Sequence, residues 1–193
     1  PVNDPPVLEE IGYQEVNEDS SLTLTLIAED VDGDELTYTA QSSSSTDVSV
    51  VLEDTELTIT PTSDFNGEVY ISVSVSDAEY TVNEVFVLTV LPVNDAPILT
   101  LIGDQSTNED TDLTIDLSAS DVDIDENGQS LTYSAVSSDE SLVLVSTITE
   151  ADGTAGTLTF DVQADQNGSA EITVSITDSE GATDSEIFTL TVL

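Results

Sequence analysis

Hydrophobic and polar residues alternate along much of this chain in short runs. The segments Leu22–Leu26 (LTLTL), Ile71–Val75 (ISVSV) and Val85–Val90 (VFVLTV) each bring alternate side chains to a common face. Such a period of two is typical of a β-strand with one buried face. The first half of the chain therefore predicts seven strands, separated by clusters of Gly, Asn, Asp, Ser or Pro, over residues 7–16, 21–28, 36–41, 48–52, 55–60, 68–76 and 82–91.

The chain also contains an internal repeat. PVNDPP at residues 1–6 recurs as PVNDAP at 92–97, and NED at 17–19 recurs as NED at 108–110, with the same offset of 91 residues. Later motifs keep their order, but the second copy has a four-residue insertion, 126–129. A repeat of this kind predicts two whole modules, 1–91 and 92–193, cut from a longer array.

Each predicted module has the strand content of one sandwich domain. Seven short strands in about 90 to 100 residues, with no helical periodicity, favour an immunoglobulin-like Greek-key fold. We therefore predict an all-β protein of two tandem seven-stranded Greek-key β-sandwiches. The Asn-Gly pairs at 66–67 and 167–168 are interpreted as hairpin turns.

The composition is extreme in charge and restricts the chemistry available. The 193 residues include 41 Asp and Glu but no Lys, Arg, His or Cys, which gives a formal charge of −41. This composition provides no imidazole base, cationic phosphate clamp or thiolate, so we expect no enzyme. Nucleic acid and anionic membrane are excluded as direct partners because both require basic side chains. No apolar run is long enough to insert into a bilayer.

Acidic residues alternate at two equivalent places, Asp30-x-Asp32-x-Asp34 and Asp121-x-Asp123-x-Asp125. Each run follows a predicted strand, where the backbone turns and several oxygens can converge. Ca²⁺ takes about 6 to 8 oxygen ligands, and a chain that offers only oxygen suits Ca²⁺ or Mg²⁺ better than zinc or copper. A solvated turn is the alternative interpretation of either run. An EF-hand is excluded because the runs lack its glycine and its final glutamate.

Several of these motifs together resemble a known family. The segment Ala28-Glu-Asp30-Val-Asp32-Gly33, followed by Leu36-Thr-Tyr38, resembles the cadherin segment in which an Asp-x-Asp pair precedes a tyrosine. The segment 93–97 (VNDAP) is similar to the cadherin linker. The resemblance covers both modules and is strongest to the cadherin-like repeats of large bacterial surface adhesins, including RTX-type adhesins.

The resemblance implies that Ca²⁺ lies between successive modules. The implied ligands at the junction are Glu18 and Asp64 from the first module, Asn94 and Asp95 from the linker, and Asp121, Asp123 and Asp178 from the second module. Half-sites are implied at the two ends, formed by Asn3, Asp4, Asp30, Asp32 and Asp77 at one end and by Glu109 and Asp165 at the other.

Two departures from the cadherin pattern bear on the number of ions. Pro92 stands where cadherins have an acidic residue, and Ala96 stands where they have Asn, so we expect fewer than the three ions of an animal cadherin junction. The motif around Asp64 is also loose, because the equivalent segment at Asp165 lacks the following glutamate.

The resulting functional expectation is an extracellular, bacterial cell-surface spacer in which Ca²⁺ stiffens a linear rod of repeats. Its implied partners are neighbouring repeats of the same polypeptide, with self-association in a fibre or cell contact as a further option. The alternative is a module that binds carbohydrate or protein through its distal loops, although the chain has only five Tyr, four Phe and no Trp for an aromatic sugar platform.

Overall fold

The computed structural model describes residues 2–124, 128–150 and 154–193. The chain divides into two compact units, Pro1–Val93 and Asn94–Leu193, which we call the first and second modules. Within the described ranges the structure contains no helix with the length and apolar character needed to span a bilayer.

The first module is built from short strands that follow the alternating pattern. They are β1 (Val7–Leu8), β2 (Gln14–Asn17), β3 (Leu22–Thr25), β4 (Ala28–Glu29), β5 (Thr37–Ser42), β6 (Val48–Glu53), β7 (Glu56–Pro61), β8 (Gly67–Ser76) and β9 (Thr81–Leu91). One sheet has the order β2-β9-β8-β5, a second has the order β3-β7-β6, and β1 pairs with β4. All pairs are antiparallel except β2 with β9, which is parallel.

The core of the first module comes from the inward positions of these strands. Ile71 on β8 and Leu88 on β9 belong to one sheet, Leu57 and Ile59 on β7 belong to the other, and all four are completely buried. They form a single hydrophobic cluster. The Thr and Ser residues between them face outward. The period of two in the sequence therefore corresponds to alternating core and surface positions.

The second module repeats the plan. Its strands are β10 (Ile98–Leu99), β11 (Gln105–Thr107), β12 (Leu113–Ser120), β13 (Thr132–Ser137), β14 (Val143–Glu150), β15 (Ala155–Val162), β16 (Gly168–Thr177) and β17 (Thr183–Val192). The two sheets have the orders β10-β12-β15-β14 and β11-β17-β16-β13. Phe160 on β15 and Phe188 on β17 meet edge to face, with ring centroids 6.3 Å apart, so an aromatic pair joins the two sheets across the core.

The structure differs from the prediction in the first strand of the first module. The predicted strand 7–16 is two strands, and β1 and β2 pair with strands of different sheets. Gly12 lies between them with φ 67°, and Gly103 lies between β10 and β11 with φ 69°. Because an extended strand cannot include a residue in the left-handed region, the chain leaves one sheet at this glycine and joins the other.

The predicted strand 21–28 is also divided. Its first part, β3, pairs with β7, whereas its last part, β4, pairs with β1. The two parts are therefore hydrogen-bonded to different strands. The equivalent stretch of the second module is the single strand β12, which pairs with β10 at one end and β15 along the rest.

The interpretation of the Asn-Gly pairs as hairpin turns is wrong. Asn66-Gly67 connects β7 to β8, which belong to different sheets, and Asn167-Gly168 likewise connects β15 to β16. The glycines, at φ 134° and 142°, instead begin the strand that follows the crossover. A two-residue hairpin does occur between β6 and β7, where Asp54 adopts φ 54° and Glu53 pairs with Glu56.

Candidate metal centres

Five polar residues of the first module come together although the sequence separates them. Asn3 and Asp4 precede β1, Asp30 and Asp32 follow β4, and Asp77 follows β8. Pairing of β1 with β4 brings the first two pairs to the same end of the module. We call this set the N-terminal cluster of the first module.

Backbone and side-chain hydrogen bonds hold this cluster together. Asn3 Nδ2 donates to Asp77 Oδ2 at 2.9 Å, and the Asp4 amide donates to Asp32 Oδ2 at 2.8 Å. Asp30 Oδ1 accepts from the amides of Asp32 at 2.9 Å and of Gly33 at 3.0 Å. The carboxylates of Asp30 and Asp32 are therefore held in place by backbone amides.

The second module builds the same cluster from equivalent residues. Asn94 Nδ2 donates to Asp178 Oδ2 at 2.9 Å, the Asp95 amide donates to Asp123 Oδ2 at 2.8 Å, and the Asp123 amide donates to Asp121 Oδ1 at 2.9 Å. These five residues form the N-terminal cluster of the second module. Asp125, the last acid of the alternating run, lies outside the described residues.

The aspartate after β8 or β16 is also held by its own turn. Asp77 Oδ1 accepts from the amides of Glu79 at 2.8 Å and Tyr80 at 2.6 Å. The Tyr80 amide is the strongest influence in lowering the pKa of the Asp77 carboxyl, against burial, which raises it. This carboxylate is held in its anionic form because the hydrogen bonds favour the charged state.

Asp178 is held in the same way by a slightly longer turn. Its Oδ1 accepts from the amides of Glu180 at 2.9 Å, Gly181 at 2.6 Å and Ala182 at 2.9 Å. Burial is the largest single influence on the pKa of Asp178 and raises it, but the bonds from Asn94 and the three amides together outweigh burial and lower the pKa. Asp178 is therefore also an anion at neutral pH.

Several carboxylates are buried in a chain that has no positively charged side chain. The exposed fractions are 2% for Glu18, 8% for Asp77, 3% for Asp123 and 5% for Asp178, and the sequence contains no Lys, Arg or His. In addition, Asp30 Oδ2 and Asp121 Oδ2 are buried without any hydrogen-bond donor. A buried charge is costly unless it is paired or coordinates a metal, so a cation from solution would stabilise both clusters.

A second acidic set lies at the other end of the first module. The Glu18 amide donates to Leu91 O at 2.9 Å, and Glu18 Oε1 accepts from the Val93 amide at 2.6 Å. Asp19 and Asp64 offer carboxylate oxygens within 4.8 Å of each other. We call Glu18, Asp19 and Asp64 the C-terminal cluster of the first module.

The second module has the equivalent set in Glu109, Asp110 and Asp165. The Glu109 amide donates to Leu193 O at 3.0 Å, and the Asp165 amide donates to Asp110 Oδ1 at 3.0 Å. Asp19, Asp64, Asp110 and Asp165 all adopt left-handed conformations, with φ between 54° and 59°. Asp tolerates this region better than most residues, so its position at these turns has a local conformational reason.

Sequence reasoning missed three residues in these clusters. For Asp19 and Asp110, the only signal in the sequence was their place at the end of the repeated NED motif. Gln129 lies in the insertion of the second module, and its Nε2 donates to Asn94 Oδ1 at 2.5 Å. An insertion in one copy of a repeat was the only signal that could have indicated Gln129.

Comparison with known proteins identifies the kind of domain. The sequence model described as Bacterial Ig domain matches residues 3–89 and 94–191, which is nearly the whole chain. No curated protein sequence matches the chain.

Solved structures with a similar fold include three from cadherin-type proteins. Human protocadherin-24 EC1-2 aligns with a TM-score of 0.61 and 19% identity over 99% of this chain and 100% of its own. PcdhgB3 EC1-4 aligns with a TM-score of 0.62 and 18% identity over 98% of this chain and 49% of its own. The human desmocollin-1 ectodomain aligns with a TM-score of 0.51 and 16% identity over 99% of this chain, which spans 41% of that chain.

These matches confirm the predicted all-β fold of two immunoglobulin- and cadherin-like sandwiches. The resemblance to cadherin-like repeats is confirmed at the level of the fold. The assignment to RTX-type adhesins stays a prediction.

Proposed function

The chain belongs to the bacterial Ig domain family, and from this premise we propose that it is a pair of extracellular structural repeats stiffened by Ca²⁺ in a bacterial surface adhesin or fibre. The role is mechanical and non-catalytic. Its partners are the neighbouring repeats of the same polypeptide.

One observation carries the proposal. The same set of carboxylates is built twice, and each copy has a buried carboxylate oxygen without a donor, Asp30 Oδ2 in one and Asp121 Oδ2 in the other. Because the sequence has no positively charged side chain, a soluble cation would supply the compensating charge.

The donor chemistry of the clusters fits Ca²⁺. The first N-terminal cluster offers the oxygens of Asn3, Asp4, Asp30, Asp32 and Asp77, and the second offers those of Asn94, Asp95, Asp121, Asp123 and Asp178. Carboxylate and amide oxygens, with no nitrogen or sulfur ligand, are the set that Ca²⁺ prefers.

Chain connectivity supports a role for the metal at the junction between modules. Val93 binds Glu18 of the first module through its amide, and the next residue, Asn94, binds Asp178 of the second module through its side chain. Val93 and Asn94, which are consecutive in the chain, therefore bind acidic clusters of different modules.

The affinity expected for such a site supports an extracellular location. Extracellular calcium modules bind with Kd of about 10⁻⁴ to 10⁻³ M. Millimolar calcium outside cells fills such sites, whereas the low calcium of a cytosol leaves them empty and the carboxylates repelling one another.

A thermal unfolding experiment tests calcium binding. We expect the melting temperature of the whole chain to rise strongly from EDTA to millimolar Ca²⁺, because a ligand that binds the folded state stabilises it by RT ln(1 + [L]/Kd). An unchanged melting temperature would disprove the calcium role.

A pair of double variants tests the proposed position at the junction. Asp121→Asn with Asp123→Asn removes two anionic ligands next to the linker, so small-angle scattering in Ca²⁺ should match the flexible profile that the unmutated chain gives in EDTA. The matched control, Asp30→Asn with Asp32→Asn, alters the cluster that does not include the linker and should leave the junction stiff. Identical scattering from the two double variants would contradict a junction site.

A further inference from the structure

The insertion in the second module creates a difference between the two N-terminal clusters. The first module passes from Asp34 through Glu35 to Leu36, whereas the second has four extra residues, 126–129, before Leu131. The last of them, Gln129, donates from Nε2 to Asn94 Oδ1 at 2.5 Å. An amide side chain with no equivalent in the first module is therefore part of the second cluster.

The orientation of this amide follows from the charge of Asp178. An ionised carboxylate can only accept hydrogen bonds, so Asn94 must turn its nitrogen toward Asp178 Oδ2, where the bond measures 2.9 Å. Asn94 Oδ1 is then left as an acceptor, and Gln129 must turn its own nitrogen toward it. The Asp178 carboxylate therefore determines the orientation of the Asn94 amide, and the Asn94 amide determines that of Gln129. The oxygen of Gln129 faces away from Asn94.

That oxygen has no hydrogen-bond donor. Gln129 Oε1 is buried and unpartnered, as is Asp121 Oδ2 in the same cluster. Oε1 belongs to the same amide group as Nε2, which binds Asn94 of this cluster, so the unpartnered oxygen lies beside the cluster. A buried acceptor without a partner is destabilising, and a cation, which needs several oxygens at once, would satisfy such an oxygen.

We propose that Gln129 Oε1 is an additional oxygen ligand for the cation of the second N-terminal cluster. The inference rests on the proposed function, since it assumes that this cluster binds Ca²⁺. Because the first cluster has no residue in the equivalent position, the two clusters differ in affinity. The second cluster fills at lower Ca²⁺ concentration and holds its ion with one water fewer.

Two substitutions in the whole chain separate ligation from a merely structural role. Gln129→Leu removes the oxygen and should weaken the tighter class of Ca²⁺ sites by at least about tenfold, since even changes around the ligands of a metal cost that much. Gln129→Glu keeps an oxygen at the same reach and adds charge, so it should retain the binding or tighten it. Both variants lose the nitrogen that binds Asn94, and isothermal titration calorimetry compares them directly.

A second measurement counts the water that would replace the ligand. Tb³⁺ occupies oxygen sites of this kind, and its luminescence lifetimes in H₂O and D₂O report the number of bound waters. We expect the total to rise by about one water per chain in Gln129→Leu, because Tb³⁺ takes an oxygen shell like that of Ca²⁺. It should not change in the neighbouring control Ser130→Ala.

The possible outcomes are distinct. Equal weakening of calcium binding by both Gln129 variants, or an unchanged water count in Gln129→Leu, overturns ligation by Gln129 while leaving the calcium function intact. Failure of the unmutated chain to bind Ca²⁺ overturns the proposed function and this inference with it.

Discussion

At the scale of single residues, the two modules use their own backbone to hold negative charge in place. Asp77 and Asp178 each accept two or more amide hydrogen bonds from the turn that follows them, and each binds an asparagine side chain. Backbone donors favour the ionised form and orient it without a neighbouring positive charge. The fold itself therefore keeps each side chain ionised and oriented.

This arrangement predicts a specific pH dependence. Because the folded pKa of Asp178 is lowered, its ionised form stabilises the fold above the unfolded value of about 3.9, and that contribution is lost as pH falls through the folded pKa. In EDTA, the stability of the unmutated chain relative to Asp178→Asn should therefore decrease as pH falls from about 5 to about 3. Urea unfolding at several pH values measures the difference, which cancels the general effect of protonating the other acids.

A difference between these two proteins that stays constant, or grows toward acid, would contradict the pKa direction. Asp139 serves as a control, because the hydroxyl of Ser141 lowers its pKa and it is a member of neither N-terminal cluster. Asp139→Asn should show a pH trend of the same sign but no change in calcium affinity.

Much of the candidate site could be predicted because its chemistry follows short repeated motifs. The alternating acids and the linker Asn-Asp pairs are consecutive in sequence, and the structure brings them together in each module as hydrogen-bonded clusters. Gln129 could not be predicted in this way. Its relevance depends on the orientation of two side-chain amides and on the burial of one oxygen atom. The spacing of residues in a sequence indicates neither.

At the scale of strands, one glycine in each module decides how the first strand is shared. Gly12 and Gly103 interrupt the alternating pattern with φ near 70°, and the chain crosses from one sheet to the other at that point. The alternation predicted the strands correctly as buried and exposed faces but could not predict this crossing. A period of two gives the face of a residue and contains no information about its neighbouring strand.

We expect substitution of Gly12 to destabilise the first module through backbone strain alone. A Cβ added at Gly12 would meet nothing within 4 Å, but the left-handed conformation costs a residue with a side chain about 1 to 2 kcal/mol. Gly12→Ala should lower the free energy of unfolding by this amount in urea titrations. Gly12→Asn, the matched control, should cost less because Asn tolerates this conformation; equal stability of Gly12→Ala and the unmutated chain would show that the strand break does not need glycine.

At the scale of the whole molecule, a charge of −41 without any basic residue makes the fold dependent on its ionic surroundings. Self-repulsion destabilises a compact state, and the sequence has no internal salt bridge to oppose it. Two effects of added salt must therefore be separated, general screening and specific binding.

The two effects should respond differently to the ion that is added. In EDTA, raising NaCl from about 0.01 M to about 1 M shortens the screening length from about 30 Å to about 3 Å and should raise the melting temperature gradually. Millimolar Ca²⁺ should exceed the effect of Mg²⁺ at equal concentration, because Mg²⁺ requires near-octahedral geometry and loses water reluctantly. Equal stabilisation by the two divalent ions, measured by calorimetry at constant ionic strength, would leave screening as the whole explanation.

The parallel pairing of β2 with β9, and of β11 with β17, has a consequence for a repeat under tension. A force that pulls the chain apart through its two ends acts on β2 from its N-terminal side and on β9 from its C-terminal side. In a parallel pair these forces slide one strand along the other, so the ladder bonds must break together. An antiparallel pair pulled at one end would open bond by bond. In each module the parallel pair, whose geometry resists shear, therefore joins the last strand of the module to the second strand along the chain, β2 or β11.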